Sequence, residues 1–242
     1  LGWVSAGSGR IDLTGKPLGE ALYTRVALEK DNGPYIAVCP VNHTGDRHSP
    51  SAWKMTNAMP SWSWTGCEGQ KASIEVYARA ARVELWLNGR IIGRKALKND
   101  CFAKFSVTYE PGKLEAVSYD ARGCELGRCT LTTAGQQTQI TAGPEQSSVQ
   151  AGHLCYIRLR YTDERGITKP LARGNIKVEV DGGTLVGLGN ACPYHERSYL
   201  DCVADTYYGE ALAIVRAGEG NSLTLTADDG MYSTAVTVPV TR

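Results

Sequence analysis

VELWLNGRIIG, residues Val83 to Gly93, alternates apolar and polar side chains and then doubles back. Successive side chains of an extended chain point to opposite faces, so Val83, Leu85 and Leu87 share one side. Trp86 falls on the other side, and an outward Trp on a sheet marks contact with a neighbouring domain or subunit. Asn88-Gly89 comes next, and an Asn-Gly pair between two such runs predicts a two-residue type I′ hairpin turn.

The same texture extends both ways. SIEVYA alternates Ile74, Val76 and Ala78 against Glu75, Tyr77 and Arg79. CFAKFSVTYEPGKLEAVSYDARGCELGRCTLT adds three strands, with turns at Pro111-Gly112 and Arg122-Gly123. About seven short strands at regular spacing predict a β-sandwich. A second run starts near Gln136: QTQITAGP, HLCYIRLRYTDERG, NIKVEVDGG, TLVGLGN, EALAIVRAG, SLTLTADDG and STAVTVPV. Turns are expected at Asp163-Glu164-Arg165-Gly166, Asp181-Gly182 and Asp229-Gly230. The boundary is expected between Thr133 and Gln137, where TTAGQQ interrupts the apolar alternation.

Upstream, LGWVSAGSGRIDLTGKP reads as a glycine-rich loop. PLGEALYTRVALEK then carries Leu18, Ala21, Leu22 and Val26 at helical spacing, with Pro17 suited to a first turn. YIAVCPV follows as a short strand. The expected organisation is all-β: residues 1–33 a loop and helix, 34–135 one immunoglobulin-like β-sandwich with its leading strand and loop, and 136–242 a second.

The chain has 26 basic and 25 acidic residues in alternation, which argues against a nucleic-acid or anionic-membrane partner. No apolar run approaches the ~20 residues of a membrane helix. No signal peptide opens the chain, and it starts at Leu1 rather than Met, so it reads as a fragment of something longer. Eight cysteines without a CxxC motif, including Cys101 and Cys155 at strand positions, suit buried reduced thiols and a cytoplasmic setting.

SWSWTGCEGQ followed by IEVYARAARVELWLNGRIIGRK resembles the sandwich that follows the catalytic barrel in bacterial glycoside hydrolases of family 2, the β-galactosidase-like group. YEPGKLEAVSYD adds to the likeness. YTDERG, GTLVGLGN and ALAIVRAG resemble that family's terminal Ig-like domain, and SGRIDLTGKPLGEA resembles the tail of its barrel. The resemblance implies that residues 1–33 are a remnant of a (β/α)8 barrel and that the parent hydrolyses β-glycosides. A retaining glycosidase needs two carboxylates ~5 Å apart, and the family's acid/base motif contains Asn-Glu. That dipeptide occurs nowhere here. The expectation is a catalytically silent piece with no catalytic residue, no metal and no cofactor. Its expected partners are the parent barrel, a β-galactoside or oligosaccharide, and further copies in a homo-oligomer.

Trp62 and Trp64 in PSWSWTGCEGQ are the candidate substrate-binding residues. If the stretch is extended they share a face, where two indoles framed by Ser61, Ser63 and Thr65 would suit sugar stacking. The competing reading is packing, over a seam shared with Trp3 and the helix after Pro17. Cys192, His195 and Cys202, with Asp201 or Asp205, raise a zinc question, to which a loop packed by Tyr194 and Tyr199 is the alternative. His43, Asp46 and His48 read as a solvated connector. Ser5 and Ser8 form no nucleophile elbow. A carbohydrate-binding module on Trp62/Trp64 and an adhesin-like Ig stalk are the alternative functions.

Overall fold

The computed structural model describes residues 9–45, 54–98, 100–194 and 197–242. One compact unit ends at Thr133 and a second begins at Ala134. The first holds helix α1 (Gly19–Ala27) and strands β1 (Tyr35–Val38), β2 (Lys71–Tyr77), β3 (Arg82–Leu87), β4 (Arg90–Ala96), β5 (Phe102–Thr108), β6 (Lys113–Tyr119) and β7 (Glu125–Thr132). They form two antiparallel sheets, β1-β2-β5 and β4-β3-β6-β7. Ile36, Val38, Ile74 and Val76 supply buried side chains from one sheet, and Val83, Leu85, Leu87, Leu114 and Ala116 from the other.

The β3–β4 hairpin turns at Asn88 and Gly89, whose φ values of 51° and 78° suit a type I′ turn. Asn88 also pins its neighbour: its Nδ2 donates to Pro111 O (3.0 Å) and its Oδ1 accepts from Lys113 N–H (2.9 Å).

The outer face of β2 departs from the sequence pattern. Alternation predicts Glu75 and Tyr77 on a wet face, yet they are 5% and 1% exposed. Helix α1 and the segment around Ala58 account for this. Val26, Ala37, Ala58, Tyr77 and Cys101 form a second apolar cluster there, with Leu22, Tyr23, Tyr35, Cys39 and Phe102 packed against it. Cys101 therefore precedes β5 at φ 53° and belongs to this outer cluster. Glu75 keeps two donors inside, the Thr56 hydroxyl (3.0 Å) and the Tyr77 hydroxyl (2.5 Å). Burial, reinforced by that carboxylate, pushes the Tyr77 hydroxyl far above its ordinary range.

Gly19 opens the helix because nothing larger fits. Its N–H donates to Ala58 O (3.1 Å), and a β-carbon would stand 2.6 Å from that oxygen. Gly19→Ala is expected to cost about 1–3 kcal/mol through overpacking, outweighing the ~1 kcal/mol that alanine gains in helix propensity. Urea unfolding measures it. An unchanged midpoint would mean that the Ala58 segment yields.

The second unit contains β8 (Gln139–Pro144), β9 (Val149–Gln150), β10 (Leu154–Thr162), β11 (Ile176–Asp181), β12 (Gly183–Gly189), β13 (Val203–Ala204), β14 (Glu210–Ala217), β15 (Ser222–Asp228) and β16 (Ser233–Thr241). Their sheets run β12-β14-β10-β8 and β13-β11-β15-β16-β9. Cys155, Ile157, Leu159, Ala213, Val215, Leu223 and Leu225 lie in the core between them. The chain is thus all-β apart from its short helical elements, in the sandwich class that its alternation predicts.

One turn design occurs three times. Asp12, Asp120 and Asp163 each accept, through Oδ1, the N–H groups two and four residues on, at 2.8–3.0 Å. The residue between those two donors is Gly15, Gly123 or Gly166, with φ of 80°, 88° and 79°. The side chain of each aspartate thus takes over backbone donors that the turn would otherwise strand.

Candidate functional site

PSWSWTGCEGQ is irregular rather than extended, with left-handed backbone at Gly66 and Gly69. Both indoles point inward, Trp62 at 1% exposure and Trp64 at 0%. Their polar edges are spent internally. Trp62 Nε1 donates to Glu110 O (3.1 Å) and Trp64 Nε1 to Ser61 O (3.3 Å). Tyr109, buried at the end of β5, stands edge-on to Trp62 at 4.8 Å between ring centroids. Its hydroxyl accepts Trp64 N–H (2.9 Å). The Thr133 hydroxyl donates to Trp62 O (2.7 Å) and accepts from Gly112 N–H (3.0 Å). The stretch is stitched to the β5–β6 turn and to the end of β7.

An indole without an exposed face has none to lay against a sugar ring. Neither Trp belongs to the cluster under α1, and Trp3 lies outside the described residues. The sequence reading misses Tyr109 and Thr133. Their signal is the Pro111-Gly112 turn, which brings the ends of β5 and β7 to one place.

Other candidates disperse. His195, Asp46, His48, Ser5 and Ser8 lie outside the described residues. Cys192 N–H donates to Asn190 Oδ1 (2.8 Å), and the Asn190 amide donates to the Asp205 carboxylate (2.8 Å). Among the described residues, no three His, Cys, Asp or Glu side chains are grouped to hold a metal. All eight cysteines are free thiols.

Buried carboxylates are the remaining reactive groups, and each is tied. Glu84 accepts from Arg94 (3.0 Å) and from the Tyr119 hydroxyl (3.1 Å). Glu115 pairs with Lys113 (2.8 Å) and Arg128 (3.3 Å), and the Lys113 bond leads in holding its carboxyl below the ordinary range. Trp86 sits between these pairs on the outer sheet face, half-buried, its indole N–H buried without an acceptor among the described residues. Asp163 collects Arg165 and backbone donors, and Glu210 faces Arg158. Each of these carboxylates thus has a charged or hydroxyl donor within reach.

Residues 139–237 match the family described as "Glycoside hydrolase family 2 C-terminal domain 5". That match runs from β8 into β16, through the second unit. Residues 69–127 match a family described as "Domain of unknown function (DUF4982)". The chain resembles a glycosyl hydrolase family 2 member from Bacteroides cellulosilyticus, with TM-score 0.87 and 28% identity over 98% of this chain and 32% of that one. A β-glycosidase from Bacteroides vulgatus shares the fold, with TM-score 0.78 and 22% identity over 98% of this chain and 29% of that one. A putative β-glucuronidase from Formosa agariphila is 33% identical over 90 residues, 36% of this chain and 9% of its own length. The chain therefore spans about a third or less of the length of these relatives.

Proposed function

We propose that this segment serves as the non-catalytic C-terminal sandwiches of a glycoside hydrolase acting on β-glycosides. It braces the catalytic barrel and contributes to contacts between subunits. The observation that carries the reading is the match of residues 139–237 to a family 2 C-terminal domain. The tied carboxylates support the non-catalytic half, because a retaining mechanism needs one carboxyl free to attack and another free to exchange its proton. Trp62 and Trp64 act by packing in this reading, and Trp86 faces a neighbouring domain. The family resemblance points to β-galactosides, while the names of the relatives add β-glucuronides to the substrates worth testing.

The chain by itself is expected to give no turnover of nitrophenyl β-galactoside, β-glucoside or β-glucuronide. A protein that carries it behind a barrel is expected to hydrolyse at least one of them. Turnover by the isolated chain that Glu75→Gln, Glu84→Gln or Glu115→Gln abolishes would overturn the non-catalytic assignment. Failure of the longer protein on every substrate would overturn the glycosidase reading.

A further inference from the structure

Asn-Gly occurs twice in the chain, at Asn32-Gly33 and Asn88-Gly89. The pair has a chemistry of its own. The nitrogen after an asparagine attacks the side-chain carbonyl when the two meet, and a glycine has no β-carbon to hinder it. Both asparagines are exposed, so access to water does not separate them. Their contacts do. Asn88 has its amide held at both ends, Nδ2 by Pro111 O (3.0 Å) and Oδ1 by Lys113 N–H (2.9 Å). Its own N–H donates to Lys113 O (3.0 Å). Gly112 closes on it from the next turn, where a β-carbon would overlap Asn88 Oδ1. To reach Gly89 N, the Asn88 side chain has to give up both of its bonds.

Asn32 is placed differently. Its side chain makes no hydrogen bond among the described residues. Its main-chain oxygen accepts from Arg79 N–H (2.9 Å), which fixes the backbone and leaves the side chain to turn. Gly33 N–H donates to Asp31 Oδ1 at 3.2 Å. That acceptor is a carboxylate, which draws the proton away from the nitrogen that has to lose it. Asp31 is itself steadied, since its Oδ2 accepts from Arg25 and from the Tyr35 hydroxyl, both at 2.8 Å. A free electrophile thus stands beside a polarised nucleophile.

We propose that Asn32 is a modification site that deamidates spontaneously in the folded chain, and that Asn88 is protected from the same reaction by its two bonds. Gly33 N bonds to Asn32 Cγ, the Cγ–Nδ2 bond breaks, and ammonia leaves with the Gly33 proton. Water then opens the cyclic imide at either carbonyl, giving aspartate or isoaspartate, and nothing is oxidised or reduced. Either product sets a second carboxylate next to Asp31. Isoaspartate also lengthens the main chain by one methylene where room is short, for a β-carbon on Gly33 would stand 2.5 Å from Tyr77 O.

The test ages the unmodified chain in mildly alkaline buffer and follows both asparagines by peptide mass mapping, with isoaspartyl methyltransferase reporting the isoaspartate. Asn32 is expected to convert at least about tenfold faster than Asn88, a factor within what two hydrogen bonds supply. In urea the two rates are expected to converge, because the bonds that separate them are gone. Gly112→Ala pushes the Asn88 amide off its partners and is expected to raise the Asn88 rate several-fold while that of Asn32 stays. Asn32→Gln is expected to remove the early acidic species from ion exchange. Equal rates in the folded chain, or faster loss at Asn88, would overturn the proposal. So would an Asn32 that stays intact in the folded chain and converts only in urea. Should Gly112→Ala fail to fold, the ratio of the two rates in the unmodified chain still decides.

Discussion

Trp64→Ala is expected to lower the stability of the first unit by about 3–5 kcal/mol, and Trp62→Ala by a similar amount. Each indole buries roughly 150–250 Å², and neither has a solvent-facing side from which a cavity could be filled at low cost. The two losses differ in what they strand. Removing Trp62 takes away the edge-on contact with Tyr109 and leaves Glu110 O without its donor. Removing Trp64 empties a fully buried site but keeps its backbone N–H on the Tyr109 hydroxyl. Trp64→Phe retains most of the apolar area and is expected to cost less than half as much. Urea unfolding followed by tryptophan fluorescence gives these values. A sugar platform behaves in the opposite way, losing affinity while stability hardly moves. Midpoints unchanged in both alanine variants would refute the packing account.

The sequence made the strands legible where one face is wet and the other dry. VELWL is such a case, and its Asn88-Gly89 turn adopts the backbone expected of that pair. Legibility failed where a remote segment covers the second face. Glu75 and Tyr77 alternate correctly with Ile74 and Val76, but α1 and Ala58 seal them in. A period of two says which residues share a side and nothing about what lies on top of it. β9 and β13 are too short, at two residues each, to leave any alternation to read. The tryptophan pair marks the intermediate case. Its spacing draws attention to the stretch, while burial depends on Tyr109 and Thr133, 45 residues or more away in the chain. The aspartate turns were legible and only partly read: an Asp three residues before a Gly occurs in IDLTGK, YDARGC and TDERGI.

Asp163→Ala is expected to destabilise the second unit by about 3–5 kcal/mol, the range for breaking a buried charge network. The carboxylate is fully buried and holds the start of that unit in place. Its Oδ2 accepts Gly135 N–H (2.7 Å) and the Arg165 guanidinium (3.0 Å), while Oδ1 accepts from Arg165 and Ile167 N–H. Lys169 completes the clamp, its ammonium donating to Gln136 O, Gln137 O and the Thr138 hydroxyl at 2.7–2.9 Å. Asp163→Asn separates charge from shape. An amide NH₂ in the place of Oδ2 would face two donors, so those contacts are lost although the size is kept. Burial alone would raise the Asp163 carboxyl, but the N–H donors and Arg165 outweigh it and hold it below the ordinary range. A carboxyl depressed in the folded state stabilises above its unfolded pKa of about 3.9, and that contribution fades as pH falls through the folded value. Asp229 follows the same rule, bonded by the Tyr161 hydroxyl and two backbone donors. The second unit is therefore expected to lose stability from about pH 4 downward, less steeply in Asp163→Asn. Trp62, Trp64 and Trp86, the described tryptophans, all lie in the first unit, so their fluorescence follows that unit, whereas far-UV circular dichroism sums both. Asp163→Asn is expected to change the acid transition seen in the dichroism and to leave that of the fluorescence, which follows first-unit carboxylates such as Glu115, where it was. Parallel pH slopes for Asp163→Asn and the unmodified chain would remove Asp163 from the account of acid stability.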